Sequence, residues 1–149
     1  MAIALRDDPY LAFRFLVEVE GLIVAGFSEV SGLEAEVEPF DYHEGGVNDH
    51  VHRLPGPATY PNLVLRRGLT DFDNLWSWHQ DVRRGVIRRR NGSVLLYGDL
   101  AEGQALWRWN FVGAYPVRWV GPELRADAAA VAVETLELAH RGLSKGLFG

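Results

Sequence analysis

From Leu33 to Glu38 the chain alternates strictly, with Leu33, Ala35 and Val37 apolar and Glu34, Glu36 and Glu38 acidic. Side chains on a strand alternate with period two, so this stretch predicts a strand with one apolar face and one acidic face, running on to Tyr42. Like charges in a row on one face repel, so the acidic face must meet water. Either it is the wet side of an antiparallel sheet, or it lines a wide aqueous channel.

The rest of the chain supplies more strands. Residues 1–9 read as an arm. Tyr10 to Val19 puts Phe13, Phe15, Val17 and Val19 on one face, and Glu20-Gly21 reads as a turn into 22–24. His43 to Pro61 reads as one long polar connection, and loops of that length are usually functional or disordered. Asn62 to Arg67 is a strand closed by Gly68. Thr70 to Arg84 is the one convincing helix, opened by a capping-box-like Thr70 and Asp73. Phe72, Leu75, Trp76 and Val82 are its predicted core face, and His79 lies on the same stripe. Asn91-Gly92 predicts a hairpin between 86–90 and 93–97. Gln104 to Val112 carries Trp107, Trp109 and Phe111 on one face, with a break expected at Pro116. Val131 to His140 is the last strand. Its apolar set changes face between Val133 and Leu136, which predicts a bulge or burial on both sides. Residues 142–149 read as a tail. The whole is one domain, 1–149: mainly β, two packed antiparallel sheets forming a sandwich or open barrel, with one flanking α-helix.

Chemistry is sparse. There is no cysteine and no apolar run near the roughly 20 residues of a spanning helix. The first residues lack the basic start and long apolar core of a secretory signal, so assembly in the cytoplasm and no direct membrane insertion are expected. His50 and His52 lack an obvious third ligand beyond His43 or Asp49, so no metal is expected. No phosphate-binding glycine motif or nucleophile elbow occurs, so neither a cofactor nor a catalytic residue is assigned. Residues 1–50 hold two arginines against eleven acids, whereas 51–100 hold eight arginines against four. Arg83, Arg84, Arg88, Arg89 and Arg90 form the densest basic cluster. The overall acidity argues against nucleic acid there, and a salt-bridged subunit interface fits better. Such one-sided charge suits heterologous contacts, which build rings or filaments.

Several stretches together resemble one family. Asp8-Pro9-Tyr10 with Phe13, Phe15 and Val17, then Gly26-Phe27-Ser28-Glu29-Val30-Ser31-Gly32-Leu33, are similar to the N-terminal signature of the phage tail tube family. That family includes the inner-tube proteins of extracellular contractile injection systems. Tyr42-x-Glu44-Gly45-Gly46, Leu54-Pro55-Gly56, Leu65-x-Arg67-Gly68, Asn91-Gly92-Ser93, Trp109-Asn110-Phe111, Pro116-Val117-x-Trp119 and Glu134 to His140 complete the resemblance. It implies hexameric rings that stack into a tube inside a contractile sheath, with the inner strands of all copies closing a continuous β-barrel lumen. Glu34, Glu36 and Glu38 would then face the lumen. The 43–61 connection, through Glu44, Gly45, Gly46, Asn48, Asp49, His50, His52 and Arg53, would reach the next ring. The implied partners are further copies of the chain, the sheath protein, baseplate and cap proteins, and protein or DNA cargo, in a phage tail-like particle or virion released from the cell. A tube-initiator or baseplate homologue is the second reading, and a monomeric ligand-binding β-barrel the third.

Overall fold

The computed structural model describes residues 15–20, 27–43, 45, 51–97, 105–127 and 129–146. Along the chain these form β1 (Phe15–Val19), β2 (Phe27–Ser31), β3 (Glu36–Tyr42), β4 (His52–Thr59), β5 (Leu63–Gly68), α1 (Asn74–Arg83), β6 (Arg90–Tyr97), β7 (Ala105–Val120), β8 (Val133–Ala139) and β9 (Gly142–Lys145). All strand pairs are antiparallel. Seven strands make one bent sheet, and β3 with β4 makes a separate ribbon of two.

The bend lies in β7, whose 16 residues serve two layers. Its first part pairs with β6, which carries β1 on its other edge, and with β9. Its last part, Tyr115 to Val120, pairs with β8, followed by β5 and β2. Between the two parts sits Gly113 with φ +63, and a Cβ there would lie 2.3 Å from the Arg141 guanidinium. Only glycine combines that φ with that approach at no steric cost. A strand that turns a corner in this way folds the two layers onto each other. The core between them takes Val17, Val94 and Phe111 from one layer and Leu63, Leu65, Leu136 and Leu138 from the other.

Several expectations are corrected by this packing. Asn91-Gly92 is not a hairpin turn, because β6 runs through it, with a shift of register against β7 between Arg90 and Gly92. Gly92 is needed for space: a Cβ would lie 2.3 Å from the Phe111 ring and 2.4 Å from the Glu18 carbonyl. The Asn91 side chain accepts a hydrogen bond from the Gly113 N–H at 3.0 Å, so it braces the corner. Pro116 is no break, since β7 continues past it with only a shift of register against β8. Residues 142–145 are not a tail. They continue the β8 line past a kink and pair with β7, and Leu143 packs on the core.

The strand β8 does not change face. Glu134, Leu136 and Leu138 are all buried on the same side, in unbroken register with β5. The acid is tolerated because Arg67, opposite it on β5, lies beneath the same face. Nε of Arg67 stands 3.6 Å from Oε1 of Glu134, and both side chains are 3% exposed. Nη2 of Arg67 donates to the Phe72 carbonyl at 3.1 Å and to the Asn74 side chain at 2.8 Å. The guanidinium also lies 5.7 Å from the centre of the Phe27 ring.

Those bonds fix where the helix starts. It begins at Asn74, not Thr70, and Asp73 at its N-cap makes no side-chain capping bond. The Thr70 hydroxyl accepts from the Phe72 N–H instead. Phe72 therefore precedes the helix and is 62% exposed, which removes it from the core face. Leu75 and Trp78 are buried, while Trp76 and Val82 are half-buried. The stripe runs through Leu75, Trp78 and Val82, three and then four residues apart. Trp76 sits on its flank, edge-on to Trp119 at 4.6 Å between ring centres. The Trp78 indole donates to the Arg88 carbonyl at 3.1 Å and ties down the segment after the helix.

Two stability predictions follow from these contacts. Gly92→Ala, which drives a methyl into Phe111, is expected to lower stability in chemical denaturation by about 1–3 kcal/mol. Gly45→Ala, with no atom within 4 Å of the new Cβ, is expected to leave it unchanged. Glu134→Ala strands a buried guanidinium and is expected to cost about 3–5 kcal/mol, whereas Arg67→Met combined with Glu134→Leu recovers most of that loss. A double variant as unstable as Glu134→Ala would mean the charge itself is not what matters.

Candidate assembly surface

The ribbon of β3 and β4 stands out because it lacks a core. Every residue of β3 is exposed, and in β4 only Gly56 is half-buried. Val37, Phe40, Tyr42 and Leu54 are each at least 40% exposed. Two strands with both faces wet have little to hold them. Their outer edges, unpaired among the described residues, also offer backbone groups to another chain.

The ribbon is built from the segment that begins with the acidic alternation, but the alternation starts later than expected. Glu34 N–H bonds the Gly32 carbonyl at 2.8 Å, so the chain is turning there and β3 begins only at Glu36. Period-two geometry then places Glu36 and Glu38 on one face with Phe40 and Tyr42, and Val37 on the other with Pro39 and Asp41. Glu34 is exposed, in the segment that precedes the strand.

The expected connection from 43 to 61 is also corrected, because β4 occupies His52–Thr59. Its prolines hid it. Pro55 lies opposite Pro39, so neither can donate to the ladder, and prolines persist only where a sheet does not need their N–H. The register shifts between Val37 and Pro39, which adds one residue on β4. Gly56 sits in that bulge, where a Cβ would lie 2.5 Å from the Glu38 carbonyl. Arg53 and Asp41, opposite one another, approach to 3.5 Å with both side chains largely exposed. Of the residues expected to contact the next ring, His52 and Arg53 are therefore on β4 and Gly45 is an exposed turn residue. Glu44, Gly46, Asn48, Asp49 and His50 lie outside the described residues.

The arginine cluster is divided. Arg90 donates to the Glu20 carbonyl at 2.7 Å and lies 5.5 Å from the Trp78 ring centre. Arg89 donates to the Gly113 carbonyl and covers the Tyr115 ring at 4.8 Å. These two hold the chain's own corner. Arg83 bonds the Gln80 side chain, while Arg84 and Arg88 are exposed and pair with no described residue. His79 is half-buried on α1, and its pKa is lowered by burial and then by the nearby Arg83 charge. Among the described residues no group of three His, Cys, Asp or Glu is placed to hold a metal ion.

Sequence reasoning missed the Arg67–Glu134 pair and β4. The first had a signal: opposite charges interrupt the apolar stripes of two strands at their ends. The second had none, since Pro55-Gly56-Pro57 reads as loop by every local rule.

Comparison with known proteins matches this architecture. Residues 11–144 match the family model of the T4-like virus tail tube protein gp19. A search of curated protein sequences returns no match. Among solved structures, a chain of the six-fold symmetrised anti-feeding prophage baseplate is 27% identical, with 94% of this chain and 97% of that chain covered and a TM-score of 0.81. A chain of the sheath–tube complex of an extracellular contractile injection system, PVC, in the extended state is 23% identical over 95% and 94%, with a TM-score of 0.84. A chain of the PVC sheath/tube terminator is 24% identical over 95% and 99%, with a TM-score of 0.83. The last two likenesses establish the fold. With its family model spanning nearly the whole length, this chain belongs to the T4-like virus tail tube protein family and is a structural tube subunit.

Proposed function

We propose that copies of this chain close into hexameric rings that stack into the inner tube of a contractile particle. The tube lies inside a sheath, holds cargo and delivers it when the sheath contracts. The observation that carries this reading is the β3–β4 ribbon, exposed on both faces. In a ring, the ribbon of each copy finds the neighbours it lacks in the single chain, and its open edges are covered. The likeness to chains from a sheath–tube complex and from a six-fold baseplate supports the same arrangement. The chain's part is structural, with no catalytic step. Assembly in the cytoplasm followed by release within the particle fits relatives described as parts of extracellular systems. A second reading, a tube-initiator at the baseplate, is favoured by the 27% identical chain, which comes from a baseplate. Electron microscopy of the purified protein separates the two. Long tubes from this chain alone support the first, isolated rings the second, and a stable monomer neither.

Glu36 and Glu38, with Glu34 just before the strand, are the proposed lumen wall. Carboxylates repeated around a channel repel DNA and acidic protein, and the repulsion is screened over about 10 Å at 0.1 M salt. Changing Glu34, Glu36 and Glu38 together to Gln is expected to keep the fold and the tubes. It should lower the uptake of a basic test protein and reduce its dependence on ionic strength. Unaltered uptake, or side chains found on the outer wall of an assembled tube, would remove the lumen assignment and leave the tube standing.

Glu44, Gly45, Gly46, Asn48, Asp49, His50, His52 and Arg53 are the proposed contact with the next ring, and all but His52 and Arg53 belong to the stretch between Tyr42 and His52. Replacing residues 46–50 with an equally long Gly-Ser linker, which spares β4, is expected to yield rings that no longer stack. Tubes of normal length from that variant would refute this role.

A further inference from the structure

We propose that the two ends of α1 are the complementary halves of one heterologous contact between copies of this chain, a proposal that rests on the tube reading. At the start of the helix lies a cavity of about 210 Å³ lined by Leu69, Thr70, Phe72, Trp76 and Trp119, with Glu134 at its floor. A cavity of roughly 150 Å³ takes up a benzene ring, so this one has room for a branched aliphatic side chain. Its rim is apolar and acidic. Phe72 is 62% and Leu69 48% exposed, and Asp71 and Asp73 are exposed beside them. Asp73 occupies the N-cap without capping, so its carboxylate is not used by the helix. The Glu134 carboxylate is already engaged by Arg67.

Past the other end of the helix the surface has the opposite character. Val86 is 46% and Ile87 55% exposed, two aliphatic side chains in a row. They stand between exposed Arg84 and Arg88, which pair with no described residue. The backbone here is held, with Val86 N–H on the Asp81 carbonyl and the Arg88 carbonyl on Trp78. The segment thus holds two exposed aliphatic side chains between positive flanks.

The two surfaces are separated by the ten residues of α1, a span of roughly 15 Å. They cannot meet within one chain. A second copy can bring its Ile87 to the cavity of the first, with Arg84 and Arg88 against Asp71 and Asp73. Each copy then offers one half to each neighbour. A contact of this kind propagates head to tail, as rings and stacks require. The apolar side chains would supply the seat, and the charges the orientation and the rejection of the reversed pairing.

The test exchanges charges on the full-length chain and reads tube yield by sedimentation and electron microscopy. Asp71→Arg with Asp73→Arg sets like charges against each other, as does Arg84→Glu with Arg88→Glu. Each pair is expected to raise the protein concentration needed for assembly by at least about tenfold. All four changes in one chain restore complementarity and are expected to restore assembly, which a merely damaged fold would not do. Phe72→Ser and Ile87→Ser probe the apolar seat and should weaken assembly without altering the melting of the unassembled chain, since both side chains are exposed in it. Tubes at wild-type yield from the paired variants would overturn this contact alone. So would a fourfold variant that is folded but as defective as either pair. A wild-type chain that stays monomeric would overturn the tube reading and the contact with it.

Discussion

Arg67 and Glu134 meet where the second layer of the sheet, the core and the start of the helix come together. Removing two charges from water is costly, and the attraction between them offsets the cost only when further hydrogen bonds complete the site. Here the Phe72 carbonyl and the Asn74 side chain take two hydrogen bonds from the guanidinium, while Arg67 Nε and Glu134 Oε1 are left to the ion pair between them. The helix can therefore begin at Asn74 only while β5 and β8 hold their register. If β8 slipped by one residue against β5, Glu134 would turn outward and leave the guanidinium alone under the apolar layer. The pair is best seen as a device that selects one alignment. Apolar residues of similar volume could supply the same stability without it.

The corner in β7 has a different logic. It depends on close approaches, not on attraction. Gly113 admits the Arg141 guanidinium, Gly92 admits the Phe111 ring, and Asn91 closes the gap with one hydrogen bond. Phe111 is fully buried between the layers, so the corner sets how closely they approach. The helix then covers the open side through Leu75 and Trp78. With the core complete in this way, β3 and β4 have no part in it, and both faces of the ribbon stay exposed.

Much of this was legible in the sequence because burial leaves a periodic trace. Val17 and Val19, Leu63 and Leu65, and Leu136 and Leu138 all sit where period-two alternation puts them. The helix was legible as an element, but its contact face was not, because Trp76 and Trp78 are equally hydrophobic and only the register of the start decides between them. That register is set by Arg67, a residue on a different element. Asn91-Gly92 was misread for a related reason: a glycine chosen for the space of a ring and one chosen for a turn look alike in a string of letters. The acidic alternation was read correctly as strand from Glu36 on. Its first residues belong to a turn, where Gly32 takes a φ of +91 and passes too close to the Asn62 carbonyl for any Cβ, and the Glu34 N–H bonds the Gly32 carbonyl.

The facing prolines of the ribbon carry a mechanical implication. Pro39 and Pro55 share a rung to which neither can contribute an amide hydrogen, and the bulge at Gly56 lies beside it. The rungs from Phe40 to Tyr42 and those at Glu36 and Val37 are thus separate bonded units, divided by the register shift between Val37 and Pro39. Flexing the ribbon at that point breaks few hydrogen bonds, while either unit resists shear on its own. An element made in this way has a defined place of compliance, so its tip can change its angle to the body of the subunit while both strands keep their alignment.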